Sequence, residues 1–125
     1  MAFTDDLLDA GAEIWAAQLD HPFVTELAAG DLDPVAFRRW LEQDYRYLFD
    51  YARTYAVAGA KARDESAMAT LLGGGDAVLS EELDLHRSFA AEYGVSEADL
   101  AETEKTPTCE AYTSFLVRTA HERPV

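Results

Sequence analysis

The sequence contains few of the residues that bind anions or form disulfide bonds. Its 125 residues include two lysines, no asparagine and one cysteine, Cys109, and acidic residues outnumber basic ones 24 to 10. The formal net charge of −14 argues against nucleic acids and anionic membrane surfaces as partners, because both are bound through clustered Lys and Arg. A lone cysteine excludes an internal disulfide and fits a reducing compartment, so we expect a cytoplasmic protein.

Long apolar runs are also missing. No run reaches the roughly 18 residues that a membrane-spanning helix needs, yet the hydrophobic content of 49% is too high for a disordered chain. A chain of this length supports one domain with a modest core. We therefore predict a single all-α domain over residues 1–125, because apolar residues recur at helical spacing and no alternating strand pattern occurs.

Capping residues and glycines set the predicted limits of the helices. These limits are Thr4 to Leu19, Pro22 to Gly30, a long helix from Pro34, a helix from Glu65 to Tyr93 that is interrupted at Gly73–Gly75, a short segment capped by Ser96 and Asp99, and a last helix from Pro107 to His121. Four to six helices of this length can pack as a bundle.

Asp44 lies on the apolar side of the long helix. At about 100° per residue, it shares a face with Phe37, Trp40, Tyr47, Leu48, Tyr51 and Tyr55. The other polar residues gather on a different face: Arg39, Glu42, Gln43, Arg46, Asp50, Arg53 and Lys61. A carboxylate on an apolar face costs several kcal/mol unless it is hydrogen-bonded. Either the tyrosine hydroxyls satisfy Asp44 structurally, or it is held for a ligand that brings its own donors.

Glu82 and His86 form a second polar pair on an apolar helix face. They lie one turn apart among Val78, Leu79, Leu85, Phe89 and Tyr93. Such a pair is a metal half-site, a proton relay or two groups that satisfy each other. The spacing E-x-x-x-H differs from the E-x-x-H of helical di-iron sites, so we predict a buried pair that binds no metal. On the last helix, Tyr112 is predicted to face the core beside Phe115 and Leu116.

The order of several motifs resembles the TenA family, the aminopyrimidine hydrolases of the thiaminase II type. The motifs are W-x-x-x-L-x-HPFV (Trp15 to Val24), G-x-L (Gly30 to Leu32), QDYRYL (Gln43 to Leu48), E-x-x-x-H (Glu82 to His86) and PT-x-x-AYTSFL (Pro107 to Leu116). The resemblance extends in register over nearly the whole chain. It implies an all-helical bundle like that of heme oxygenase, without heme or another cofactor.

The resemblance also implies a function and site residues. The implied reaction is hydrolysis of thiamin, or of aminomethyl-aminopyrimidine, to hydroxymethylpyrimidine in thiamin salvage. Asp44 matches the residue that holds the edge of the aminopyrimidine, Tyr47 the ring that stacks on it, and Tyr112 part of the pocket wall. A second layer of residues is expected to contact these three on the side away from the ligand: Tyr51, Glu82 and His86. A homo-oligomer is also expected, since the family forms tetramers.

The sequence departs from the family in one respect. The nucleophilic cysteine and the acid–base glutamate of the family lie in the second half of a chain about twice as long. Cys109 is not that nucleophile, so no catalytic residue is expected within these 125 residues, and the chain is expected to be an N-terminal half.

The alternatives are a regulatory or interaction protein, an inactive remnant, or an oxidase of the pyrroloquinoline-quinone synthase type, which the scarcity of basic residues disfavours.

Overall fold

The computed structural model describes residues Ala2–Val125, and within this range the chain is helical and contains no strand. The α-helices are α1 (Phe3–Ala10), α2 (Ala12–Leu19), α3 (Pro22–Ala29), α4 (Pro34–Lys61), α5 (Glu65–Ala77), α6 (Leu83–Glu92), α7 (Glu97–Glu102) and α8 (Pro107–Glu122). A π-helical turn at Val78–Glu82 joins α5 to α6. The all-α prediction is therefore confirmed. None of the helices described is long and apolar enough to cross a bilayer.

The chain forms two compact units, one up to Phe37 and the other from Arg38 to Val125. In the first unit, none of the residues 2–37 is buried. The predicted single helix from Thr4 to Leu19 is wrong, because a turn at Gly11 separates α1 from α2, and glycine is a weak helix former. The end of α3 at Gly30 is as predicted, since Gly30 adopts a φ of 79°. A single domain over residues 1–125 stays a prediction.

The core of the second unit begins on α4. Leu41, Tyr45, Leu48 and Ala52 are buried at intervals of three or four residues, which places them on one side of the helix. They pack with buried residues of the later elements: Val78, Leu83, Ala90, Val95 and Leu100. Burial of a leucine side chain contributes roughly 1.5–3 kcal/mol, so this stripe is the main source of stability. The aromatic stripe with Asp44 lies beside it and is only half-buried.

The glycines at 73–75 do not interrupt the helix, which corrects the prediction of a break. Helix α5 continues through them to Ala77. A Cβ on Gly74 would lie 2.6 Å from a ring carbon of Tyr55, and a Cβ on Gly75 would lie 3.4 Å from the Ala52 carbonyl oxygen. These positions lack side chains because the backbone of α5 passes close to α4.

The π-helical turn explains a second error of the prediction. A π turn holds one more residue than an α turn, so the residues after it are rotated on the helix surface. The buried positions are Val78, Leu83, His86 and Ala90, and the first two are five residues apart. Regular α-helical spacing from Val78 would instead place Glu82 at the second buried position. Leu83 takes the buried position, whereas Glu82 is exposed, so the prediction of a buried Glu82 is wrong.

The polar face of α4 is attached to the C-terminal segment rather than left to solvent. The Lys105 ammonium pairs with the Asp50 carboxylate and lies 3.1 Å from Thr113 Oγ1. Lys61 Nζ donates to the carbonyls of Ala120 and His121, at 2.6 and 2.9 Å. Both lysines of the sequence therefore connect α4 to the segment that contains α8.

Candidate functional site

Asp44 and His86 form the buried polar centre of the site. Asp44 lies on α4, and its Oδ2 is 2.6 Å from His86 Nε2 on α6. The other ring nitrogen, Nδ1, is 2.9 Å from the backbone carbonyl oxygen of Glu82. His86 is 8% exposed, whereas the Asp44 side chain keeps 24% of its surface. His86 therefore satisfies the hydrogen bonding of the carboxylate on its buried side, and the carboxylate is still open on its other side.

Tyr47 lies one turn after Asp44 in a stack of tyrosine rings. Its ring is within 19° of parallel to Tyr51, with centroids 5.2 Å apart, and within 10° of parallel to Tyr112 of α8, at 5.7 Å. Burial, followed by the nearby Tyr112, raises the pKa of Tyr47 well above its ordinary value. A hydrogen bond with Tyr55, 3.2 Å between the hydroxyl oxygens, raises the pKa of Tyr51 to about 12. These phenols are neutral near pH 7.

A cleft of about 330 Å³ opens between α4 and α8. It is lined by Trp40, Gln43, Asp44, Tyr47, Thr106, Thr108, Cys109 and Tyr112. Its volume is at the lower end of the range of roughly 300–1,000 Å³ for small-molecule sites. Flat rings, one carboxylate and few other polar groups line it, which suits a small planar heterocycle with hydrogen-bond donors.

Gln43 fixes the segment that forms the far wall of the cleft. Its Nε2 donates to the Glu104 carbonyl at 3.0 Å, and its Oε1 accepts from the Thr106 amide at 2.8 Å. Thr106 in turn caps α8, since its hydroxyl accepts from the Cys109 amide. The amide of Gln43 thus positions the start of α8, and with it Tyr112, against α4.

Cys109 lies in the cleft wall without an activating partner. Its Sγ is 3.7 Å from the Gln43 carbonyl oxygen, to which the thiol donates. Burial is the main cause that raises the pKa of this thiol above its ordinary value. A nucleophilic cysteine needs a lowered pKa. The surroundings of Cys109 therefore suit a structural thiol and not a nucleophile.

The structure brings the three predicted binding residues, Asp44, Tyr47 and Tyr112, to one cleft. Their role in binding stays a prediction, as do the supporting roles of Tyr51 and His86. His86 pairs with Asp44 and not with the carboxylate of Glu82, which contributes its backbone carbonyl. Tyr112 does not face the core as predicted, because it is 53% exposed at the edge of the cleft.

Sequence reasoning missed several residues that shape the site. The sequence places Gln43 and Asp50 on the polar face of α4 but gives them no partner, because their partners are about 60 residues away in sequence. Thr113 is 1% exposed and hydrogen-bonds to Lys105, although nothing in the local pattern marks it as buried. Among the residues described, no cluster of three or more His, Cys, Asp or Glu side chains could hold a metal ion.

The family model for TENA/THI-4/PQQC proteins matches residues 8–125. The chain belongs to this family. An aminopyrimidine aminohydrolase of Halalkalibacterium halodurans is 38% identical over 120 residues, which are 96% of this chain and 54% of that protein. An aminopyrimidine aminohydrolase of Bacillus subtilis is 30% identical over 118 residues, covering 94% of this chain and 50% of that protein.

The fold also matches solved structures of the TenA family. A TenA homologue from P. horikoshii superimposes with a TM-score of 0.93 at 29% identity, over 99% of this chain and 58% of that chain. The family resemblance and the helical bundle expected from the sequence are thus confirmed. The chain spans about half the length of the curated relatives that it matches.

Proposed function

We propose that this chain supplies the pyrimidine-binding part of a TenA-type hydrolase of thiamin salvage. The reaction would cleave thiamin or aminomethyl-aminopyrimidine to hydroxymethylpyrimidine. One observation carries the proposal: the Asp44 carboxylate is open to a cleft whose walls include the stacked rings of Tyr47 and Tyr112. The aminopyrimidine aminohydrolases among the relatives support the same substrate class.

The cleft suits an aminopyrimidine for two physical reasons. The exocyclic amine of the ligand is a hydrogen-bond donor, and the open oxygen of Asp44 is an ionised acceptor, which gives the stronger kind of hydrogen bond. The ring itself is flat and apolar on its faces, so it gains dispersion and stacking energy against a tyrosine. Together these contacts would fix both the edge and the plane of the pyrimidine.

Hydrolysis needs a nucleophile or activated water and a proton donor beside it. Cys109 does not fit the first role, because its thiol is held in the neutral form by burial and hydrogen-bonds to a backbone carbonyl. By resemblance, the nucleophilic cysteine and the glutamate of the family lie outside the matched half. We therefore expect the 125-residue chain to bind the pyrimidine and to have negligible turnover with aminomethyl-aminopyrimidine.

Titration calorimetry with hydroxymethylpyrimidine tests the proposal on this chain. The Asp44→Asn variant should bind about tenfold or more weakly, since a hydrogen bond to a charged group is worth roughly 1.5–3 kcal/mol. Asp76→Asn is the matched control, because Asp76 is exposed on α5, and it should bind like the wild type. Equal affinity of the Asp44 variant and the wild type, or no binding by the wild type, would contradict the proposal and favour an interaction protein.

A further inference from the structure

His86 has a hydrogen-bond acceptor at each ring nitrogen. Nδ1 faces the Glu82 carbonyl oxygen at 2.9 Å, and Nε2 faces Asp44 Oδ2 at 2.6 Å. A carbonyl oxygen has no proton to give, so Nδ1 must carry one. A neutral imidazole has only one N–H, and its bare Nε2 would then point a lone pair at an ionised carboxylate. The two contacts are satisfied together when the ring is the doubly protonated imidazolium.

The surroundings of His86 favour this cationic form. Two acidic residues act on the ring, Asp44 from α4 and Glu82 from the π-helical turn that precedes α6. The hydrogen bond with Asp44 is the main cause that raises the pKa of His86, and it outweighs burial, which acts in the opposite direction. The Asp44 side chain keeps contact with solvent, so the pair is not fully removed from water.

We propose that His86 is a cationic positioning residue that binds Oδ2 of Asp44 and leaves Oδ1 as the one oxygen offered to the cleft. This inference rests on the proposed function and specifies its ligand. A carboxylate already paired with an imidazolium has little attraction left for a cationic ring. The site would therefore select the neutral aminopyrimidine, through the N–H donors on its edge, over the protonated ring.

The pairing makes a definite prediction about pH. Because the folded-state pKa of His86 is raised, the pair contributes fully to stability below the ordinary histidine pKa of about 6.5, and this contribution is lost as pH rises through the raised value. Loss of one proton leaves either the Glu82 carbonyl or Asp44 Oδ2 without its donor and removes the positive charge that pairs with Asp44. Affinity for a neutral aminopyrimidine should therefore fall as pH rises through the pKa of His86.

Nitrogen NMR of the imidazole in the unliganded protein tests the protonation state directly. At pH 7 both ring nitrogens of His86 should carry protons, and the Asp44→Asn variant should lower the pKa of His86. A neutral His86 ring with a single N–H at pH 7 would overturn the inference. This measurement needs no ligand, so it remains decisive if hydroxymethylpyrimidine does not bind and the proposed function fails.

Titration with hydroxymethylpyrimidine from pH 6 to 9 tests the positioning role. His86→Gln should bind about tenfold more weakly than the wild type at low pH, a loss of about 1.4 kcal/mol, and should lack the decline at higher pH. His121→Gln is the matched control, because His121 is exposed on α8, and it should keep the wild-type profile. The titration of the ligand itself is common to all variants and cancels in the comparison. A wild-type profile in His86→Gln would overturn the inference.

Discussion

Two residues of α4 that line the cleft, Asp44 and Tyr47, are held by different interactions. The buried His86 of α6 contacts Asp44 through a directional hydrogen bond of 2.6 Å between Nε2 and Oδ2. On the α8 side, Tyr112 is 53% exposed and stacks on Tyr47 at 5.7 Å. Offset stacking tolerates sliding of the rings, whereas a short hydrogen bond does not. The contact with α6 therefore constrains Asp44 more tightly than the contact with α8 constrains Tyr47.

The two sides of α4 also differ in how the neighbouring helices are attached, α5 and α6 on one side and α8 on the other. The α5–α6 side is packed through apolar side chains and the close approach of α5 to Tyr55 and the Ala52 carbonyl at Gly74 and Gly75. The α8 side is attached through polar groups, among them the Lys105–Asp50 pair and the Gln43 amide. Removal of one partner of an ion pair leaves an unpaired charge, whereas overpacking at a close contact forces side chains apart, so the two sides should respond differently to substitution.

The largest effect is expected from Lys105→Met, which breaks the attachment of α8. It leaves Asp50, whose side chain is 14% exposed, without its main partner, and should lower the free energy of unfolding by about 2 kcal/mol. Urea denaturation followed by circular dichroism measures this. Arg38→Met removes an exposed i,i+4 pair with Glu42 and should cost no more than about 0.5 kcal/mol. Equal costs would show that the Lys105 pair is an ordinary surface pair.

The same pair predicts a dependence on pH. Burial acts to raise the pKa of Asp50, but hydrogen bonds from Lys105 and Arg53 hold it below its ordinary value. The stabilisation is therefore present above the ordinary carboxyl pKa of about 4 and is lost as pH falls through the lowered value. The difference in unfolding free energy between the wild type and Lys105→Met should be constant from pH 5 to 7 and shrink below pH 4. A constant difference down to pH 2 would contradict this.

Gly74→Ala should disturb the packed side by a smaller amount. The added Cβ would lie 2.6 Å from the Tyr55 ring, and overpacking of this kind costs roughly 1–3 kcal/mol, offset by up to about 1 kcal/mol of helix propensity. Gly73→Ala is a matched control, because nothing lies within 4 Å of a Cβ there, and it should stabilise the protein. If both variants were equally stable, the close approach of α5 to α4 would not be supported.

These contacts also show which parts of the structure could be predicted from sequence. Most helix limits followed from local signals, such as Ser96 with Asp99 and Pro107 at the start of the last helix, because caps and first-turn prolines depend on neighbouring residues. The position of Asp44 on an apolar face marked it as a residue that needs a partner. The partner itself, His86, lies 42 residues later, and a periodicity argument pairs it with Glu82 instead.

Three of the remaining errors share one physical cause. The π-helical turn at Val78–Glu82, the close approach at Gly74 and the contacts of Gln43 and Asp50 depend on how one helix packs against another. Considered with their neighbours in sequence alone, the glycines predict a helix break and the polar residues predict a solvent-exposed face. Tertiary packing overrides both of these local predictions, and a single sequence contains no direct signal for how its helices pack.

Removal of the Tyr112 ring should affect ligand binding more than stability. Because the side chain is 53% exposed, Tyr112→Ala should cost little unfolding free energy, yet a lost stacking contact of about 1 kcal/mol would weaken hydroxymethylpyrimidine binding about fivefold. Tyr112→Phe keeps the ring and should bind within about twofold of the wild type. If the Phe variant lost as much affinity as the Ala variant, the hydroxyl and not the ring would be the binding group.

The smallest effect is expected at Cys109, which lies in the cleft wall but is predicted to take no part in the chemistry. Its thiol contacts the Gln43 carbonyl, and burial raises its pKa, so it should react slowly with iodoacetamide at pH 7 and faster as pH rises. Cys109→Ser keeps a hydrogen-bond donor at this position and should leave the affinity for hydroxymethylpyrimidine within about twofold of the wild type. The rate of alkylation by iodoacetamide and calorimetry check these two expectations, and an assay with aminomethyl-aminopyrimidine checks turnover. Robust turnover by the wild-type chain that disappears in the serine variant would make Cys109 the nucleophile and the α8 side of the cleft the catalytic one.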